Sequence, residues 1–158
     1  MARSLRATPH RSTTARRSPR WYRHERLGRP PALRVVDGIA AGVDPTMPGA
    51  SPVAATHALC KRNPHLDLAD IDLVEITEAF AGQALACLDA LGITQERVNV
   101  AGGAIALGHP WGASGAVLVA RLFAEMVRAP RAAPAPRRGL ATVAGAGGVG
   151  VATLLECT

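Results

Sequence analysis

Apolar positions along the chain fall into short extended runs separated by two longer periodic stretches. From Ala32 to Val43 they alternate loosely at Leu33, Val35, Val36, Ile39 and Val43, which predicts a strand. Asp44-Pro45 breaks that run, and the prolines and glycine between Asp44 and Pro52 require a loop. Ser51-Pro52 offers an N-cap followed by a proline at the first helical position, so a helix should run to about Arg62 and end at Asn63-Pro64. Ile71 to Ile76 is short, apolar and β-branched enough for a buried strand. The stretch Thr77 to Leu91 then places Phe80, Ala84, Leu85, Leu88 and Leu91 on one helical face, with Gly92 as its C-cap.

Val98 to Val100 predicts a very short strand, and Gly115 to about Val127 is helical in pattern. Ala129 to Arg138 has only Pro, Ala and Arg to offer and should be a surface loop. Gly139 to Ala144 and Val149 to Leu155 are apolar runs joined by Gly145-Ala146-Gly147-Gly148, which predicts two strands and a glycine-rich turn. The expected order is therefore βαβαβαββ, an α/β fold with a mixed sheet and helices on its faces, over residues 31–158.

Composition narrows the partners. Aromatic residues make up only 3% of the 158 residues, so the core must be built from Ala, Val, Leu and Ile. The net charge of +6 is misleading: residues 1–30 hold nine arginines against the single acid Glu25, and the rest of the chain is slightly acidic. Nucleic-acid binding needs basic residues spread over a folded face, preferably with aromatics for stacking, and the body offers neither. Residues 1–30 read as a disordered Arg-rich tail, although their Ser/Thr-rich, acid-poor composition is also that of an organelle transit peptide. Arg16-Arg17 resembles a twin-arginine signal, but no apolar stretch follows it. Cys60, Cys87 and Cys157 are too scattered for a disulfide framework or a zinc knuckle, and no apolar run is long enough to span a membrane. A cytoplasmic, reducing location and no bound metal are the expectations.

The candidate chemistry centres on Gly102 to Gly115. Glycines on both sides of His109 allow unusual backbone angles and close ligand approach, and Pro110 stiffens the turn that aims the ring. A general base or oxyanion donor needs such a mount, though a histidine that merely packs in a tight turn would look the same. Gly145 to Gly150 follows an apolar strand as a dinucleotide fingerprint would, but a Rossmann loop must open a helix and be followed by an acidic ribose partner, and a hairpin turn near a site is the expectation here. Glu75 and Glu78 flank Thr77 at the strand-to-helix junction. Glu78 is expected to favour the helix start, and Thr77 to cap the helix backbone, either alone or while also facing a ligand.

Three blocks in order carry a resemblance: IDLVEITEAFAGQ (Ile71 to Gln83), VNVAGGAIALGHPWGASGA (Val98 to Ala116) and GLATVAGAGGVGVA (Gly139 to Ala152). Together they resemble the C-terminal domain of the thiolases, the acetyl-CoA acetyltransferases and 3-ketoacyl-CoA thiolases. The likeness runs from about Leu33 to Glu156, and the GHPxGASGA block is its most specific part. It implies one βαβαβαββ half of a duplicated five-layered structure, an acyl-CoA substrate, no separate cofactor, and a partner in the form of a thiolase N-terminal half or a second copy. It also implies that the acylated cysteine belongs to that other half.

By the same resemblance His109, preceded by Gly108, matches the histidine that activates the nucleophile and contributes to an oxyanion hole. Thr77 stands where the family has a water-holding asparagine, and Ala144 where it has the cysteine that shuttles the α-proton. Ala146 lies in the turn whose backbone N–H supplies the other oxyanion hole. Met47 and Pro48 fall in the substrate loop, with Pro48 best aligned to the family's pocket methionine, and Phe80 keeps the place beside the pantetheine arm. These substitutions leave three readings open: the C-terminal part of an acyltransferase that is inactive alone, a degenerate domain that binds acyl-CoA or a partner without turnover, or a gene remnant.

Overall fold

The computed structural model describes residues 32–128 and 134–158; the Arg-rich tail, its readings as disorder or targeting, and the first half of the Ala129 to Arg138 stretch lie outside them. The elements are β1 (Leu33–Gly42), α1 (Ser51–Arg62), β2 (Leu73–Ile76), α2 (Ala81–Leu91), α3 (Ala104–Leu107), α4 (Ser114–Phe123), β3 (Arg138–Gly145) and β4 (Val149–Cys157). After Phe123, α4 widens into a π turn over Ala124–Arg128. The sheet runs β1-β4-β3-β2, with β4 antiparallel to both β1 and β3, and β2 parallel to β3. No described helix is long and apolar enough to cross a membrane.

Strand alternation decides the layers. Leu140 and Leu154 point to one face, where they pack with Ala55 and Leu59 of α1 and Leu88 and Leu91 of α2. Their neighbours Ala141 and Leu155 point to the other, against Leu118, Leu122 and Met126. Helices thus cover both faces of the mixed sheet, as the pattern predicts. Gly92 closes α2 in the left-handed conformation at φ 64°, the expected C-cap.

Four expectations change. The strand at Val98 to Val100 is a single bridge, Val98 against Val74. Asn99 adopts φ 47° and lays its side-chain amide along the edge of β2 in place of a backbone ladder: Ile76 N–H donates to its Oδ1 at 2.9 Å, and its Nδ2 donates to the Ile76 carbonyl at 3.0 Å. Ser51 is the first residue of α1 rather than its cap, its hydroxyl donating to the Pro48 carbonyl at 2.8 Å. The second helix begins at Ala81, after an extended Phe80, and not at Thr77. Neither Glu78 nor Thr77 caps that helix: the Glu78 carboxylate is taken by other partners, and Thr77 lies four residues before the helix with its backbone still paired to β3.

The carboxyl end of α1 is fastened to β1 through Asp37. Arg62 Nε donates to its Oδ2 at 2.8 Å and Asn63 Nδ2 does so at 2.8 Å, next to the register shift between Val35 and Asp37. The Arg62 and Asn63 hydrogen bonds hold the Asp37 carboxyl well below the usual carboxylate range. A carboxylate with a lowered folded pKa stabilises at pH above its unfolded value of about 3.9, and the contribution is lost as pH falls through the folded value. Melting curves of Asp37→Asn should accordingly lie below wild type by a constant margin from pH 7 to 5, and the margin should shrink steadily below pH 4. A margin that widens on acidification would contradict the assignment.

Candidate active site

The parallel pair β2 and β3 brings two carboxyl ends to the same edge of the sheet, and antiparallel β4 starts there while β1 ends there. In open α/β sheets this edge is where ligands bind. Pairing continues one residue beyond β2, where Thr77 N–H donates to the Thr142 carbonyl at 3.1 Å. The Thr77 side chain is buried, and its hydroxyl has no hydrogen-bond partner among the described residues. It lines a small cavity together with Glu75, Gly108, His109, Ser114 and Arg121, of about 30 Å³, room enough for a water.

His109 reaches this cavity from the glycine-rich loop. Gly108, immediately before it, takes φ 96°, a conformation that a side chain would strain. Ser114, buried at the first position of α4, shares a 2.7 Å hydrogen bond with His109 Nδ1. If the hydroxyl donates to Nδ1, Nε2 carries the proton and is an oxyanion donor; if Nδ1 donates, Nε2 is a base. The Trp111 ring stacks at 6.0 Å and 22° on the outer side of the imidazole, on a backbone at φ 45° that is unusual for so large a residue.

The two acids of the β2 end hold the loop. Glu78 accepts from Asn99 Nδ2 at 2.6 Å and from Ile105 N–H, at the start of α3, at 2.9 Å. It thus serves α3 rather than α2. Its carboxylate lies where a Cβ on Gly103 would fall, so a side chain at that position would push Glu78 off these partners. Glu75 is buried and accepts from Arg121 Nε at 2.6 Å, while Arg121 also donates to the Gly102 carbonyl. Burial pushes the Glu75 carboxyl up, and Arg121 pulls against it.

Of the residues singled out from sequence, Thr77, Gly108 and His109 share the cavity. Met47, Pro48, Phe80, Ala144 and Ala146 are not among its lining. They occupy the same sheet edge: Ala144 near the end of β3, Ala146 in the turn, and Met47 and Pro48 on the loop after β1, where Val43 N–H donates to the Gly148 carbonyl at 2.8 Å. Met47 and Phe80 are well exposed there, as are Ile105, Leu107 and Trp111. Gln83 ties that loop to α2, its Nε2 donating to the Gly49 carbonyl at 3.0 Å. Asn99, Gln83 and Arg121 had no signal in periodicity or composition, because they meet partners in other segments; Ser114 lies only five residues from His109, but nothing in its residue type marks the contact. All three cysteines are free thiols, and burial is the leading cause raising the pKa of each, which leaves them poor nucleophiles.

The profile of the thiolase C-terminal domain matches residues 29–157. The chain belongs to the thiolase family. Among curated thiolase relatives, "Putative acetyl-CoA C-acetyltransferase YhfS" of Bacillus subtilis is 45% identical over 130 residues, 82% of this chain and 34% of that protein. The acetyl-CoA acetyltransferase of Bacillus anthracis superposes with a TM-score of 0.73 at 37% identity, over 80% of this chain and 30% of that one. The peroxisomal 3-ketoacyl-CoA thiolase of Saccharomyces cerevisiae does so with a TM-score of 0.71 at 36% identity, over 80% of this chain and 34% of that one. The latter is described as a five-layered structure built from two core domains of identical topology. This thiolase C-terminal domain spans about a third of the length of these relatives.

Proposed function

We propose that this domain handles acyl-CoA thioesters in a thiolase-type acyltransferase, and that the 158-residue chain by itself does not turn over. The observation that carries the reading is the cavity shared by His109 and Thr77, with Nδ1 of His109 held by Ser114 so that Nε2 is left for a thioester or a nucleophile. The acylated cysteine comes from a first thiolase half, since none of the three thiols here is activated. His109 takes the proton of that thiol as it attacks the thioester carbonyl, and then donates to the oxyanion that forms. The exposed apolar side chains around the site, Phe80, Leu107 and Trp111 among them, suit both an acyl-pantetheine arm and a covering domain.

Ala144 favours a second reading, a domain that binds acyl-CoA or a partner without condensing it, because a methyl group at the end of β3 cannot accept the α-proton. Assays of the purified chain separate these ideas from a self-sufficient enzyme. Thiolysis of acetoacetyl-CoA is expected at no more than the rate without protein. Turnover above that rate, abolished by His109→Ala, would show that the chain needs no other half.

A further inference from the structure

Arg121 has no part in the chemistry above, yet it stands inside the site. Its Nε donates to the buried Glu75 at 2.6 Å, and a terminal nitrogen donates to the Gly102 carbonyl. Ser114 and Arg121 are seven residues apart in α4, hence on one face of the helix. That single face therefore grips the imidazole through Ser114 and the head of the glycine-rich loop through Arg121, while Glu78 grips the loop again at Ile105.

We propose that Arg121 is a positioning residue for His109: by bridging Glu75 at the end of β2 to the Gly102 carbonyl, it sets where the loop presents the imidazole beside Thr77. The inference rests on His109 being the working residue of the site. A buried ion pair is a poor source of stability, since desolvation offsets most of its Coulomb attraction, so its place at the loop head calls for another account. The geometry supplies one. Two nitrogens of one planar guanidinium serve two acceptors at once, one on β2 and one on the loop, and an ammonium offers no such fork. Fixing Gly102, Ile105 and His109 leaves the loop little freedom to move the ring.

Arg121→Lys keeps the charge beside Glu75 and should keep the fold, yet it cannot hold both acceptors. Amide hydrogen exchange over Gly102 to Gly108 is expected to quicken about tenfold or more, and the ring resonances of His109, assigned by comparison with His109→Ala, should shift and broaden. The double variant Glu75→Gln/Arg121→Met removes both charges together. It should melt near wild type while the loop stays loosened and the His109 signals stay displaced. Native exchange and a native His109 spectrum in either variant would overturn the proposal, because the pair would then be a matter of charge balance alone. If the lysine variant unfolds, the double variant decides by the same two readouts. Neither measurement needs a thioester or a partner, so its result is independent of the acyltransferase assay.

Discussion

In a complex with a thiolase first half that carries the nucleophilic cysteine, Ala144→Cys is expected to raise Claisen condensation by about 10²- to 10⁴-fold over the unsubstituted domain, the usual worth of general acid–base assistance. Ala144 sits opposite Gly150 in the β3–β4 ladder, close to the end of β3 and to the glycine turn. A cysteine there, as its thiolate, would be able to accept the α-proton of the second acyl-CoA; the methyl group cannot. Acylation of the partner cysteine, which draws on His109, should be detectable already without the substitution. Thr77→Asn should add less, because the Thr77 hydroxyl already offers the cavity one hydrogen-bonding group and the amide contributes reach and a second donor. Condensation rates of the four combinations test the ordering. Free condensation with Ala144 in place, or a larger gain from Thr77→Asn, would show that the roles carried from the family do not fit these positions.

Gly150→Ala should be the most damaging single methyl group in the domain. A Cβ at Gly150 would fall onto the Ser51 carbonyl and its carbon, backbone atoms at the start of α1. That backbone is stiffened by Pro48 and Pro52 and packed against β4, so it cannot move aside as a flexible side chain would. Overpacking of this kind costs about 3 kcal/mol or more, a large part of the roughly 5–15 kcal/mol that holds a domain together. Gly82→Ala is the matched control. Nothing lies within 4 Å of a Cβ there, and the position is in the first turn of α2. It should be neutral or stabilising by about 0.5–1 kcal/mol. Urea midpoints of the two variants should move in opposite directions or differ by at least that margin; equal midpoints would mean that α1 does not press on β4 as described.

Much of the fold was legible because hydrophobic alternation reports burial directly. Leu140 against Ala141 and Leu154 against Leu155 place two core faces on one sheet, and that is a property of strand geometry, independent of what packs on each face. Gly92, with φ 64°, and the turn at Gly147 and Gly148, with φ 77° and 80°, are glycines because the backbone there is left-handed. The glycines around His109 likewise marked the candidate site. Helix starts were read less well: Thr77 and Glu78 have cap-like chemistry, but Thr77 continues the β2–β3 pairing and Glu78 is drawn to Asn99 and Ile105.

The sequence by itself determined the order of the elements apart from the strand at Val98 to Val100 and the short α3, the two apolar faces of the sheet, the histidine on its glycine mount and the family resemblance, since each is written in residue types at short spacing. Only the tertiary structure decided that Asn99 would stand in for a strand, that Ser114 would hold His109, and that Arg121 would link Glu75 to Gly102. The Asn99 and Arg121 contacts join residues 19 to 46 positions apart, and a local pattern cannot name such a partner. Periodicity measures how a residue faces its own element. Which distant donor meets which acceptor depends on how the elements are packed, and buried polar groups accept only the partners that packing brings within hydrogen-bond reach.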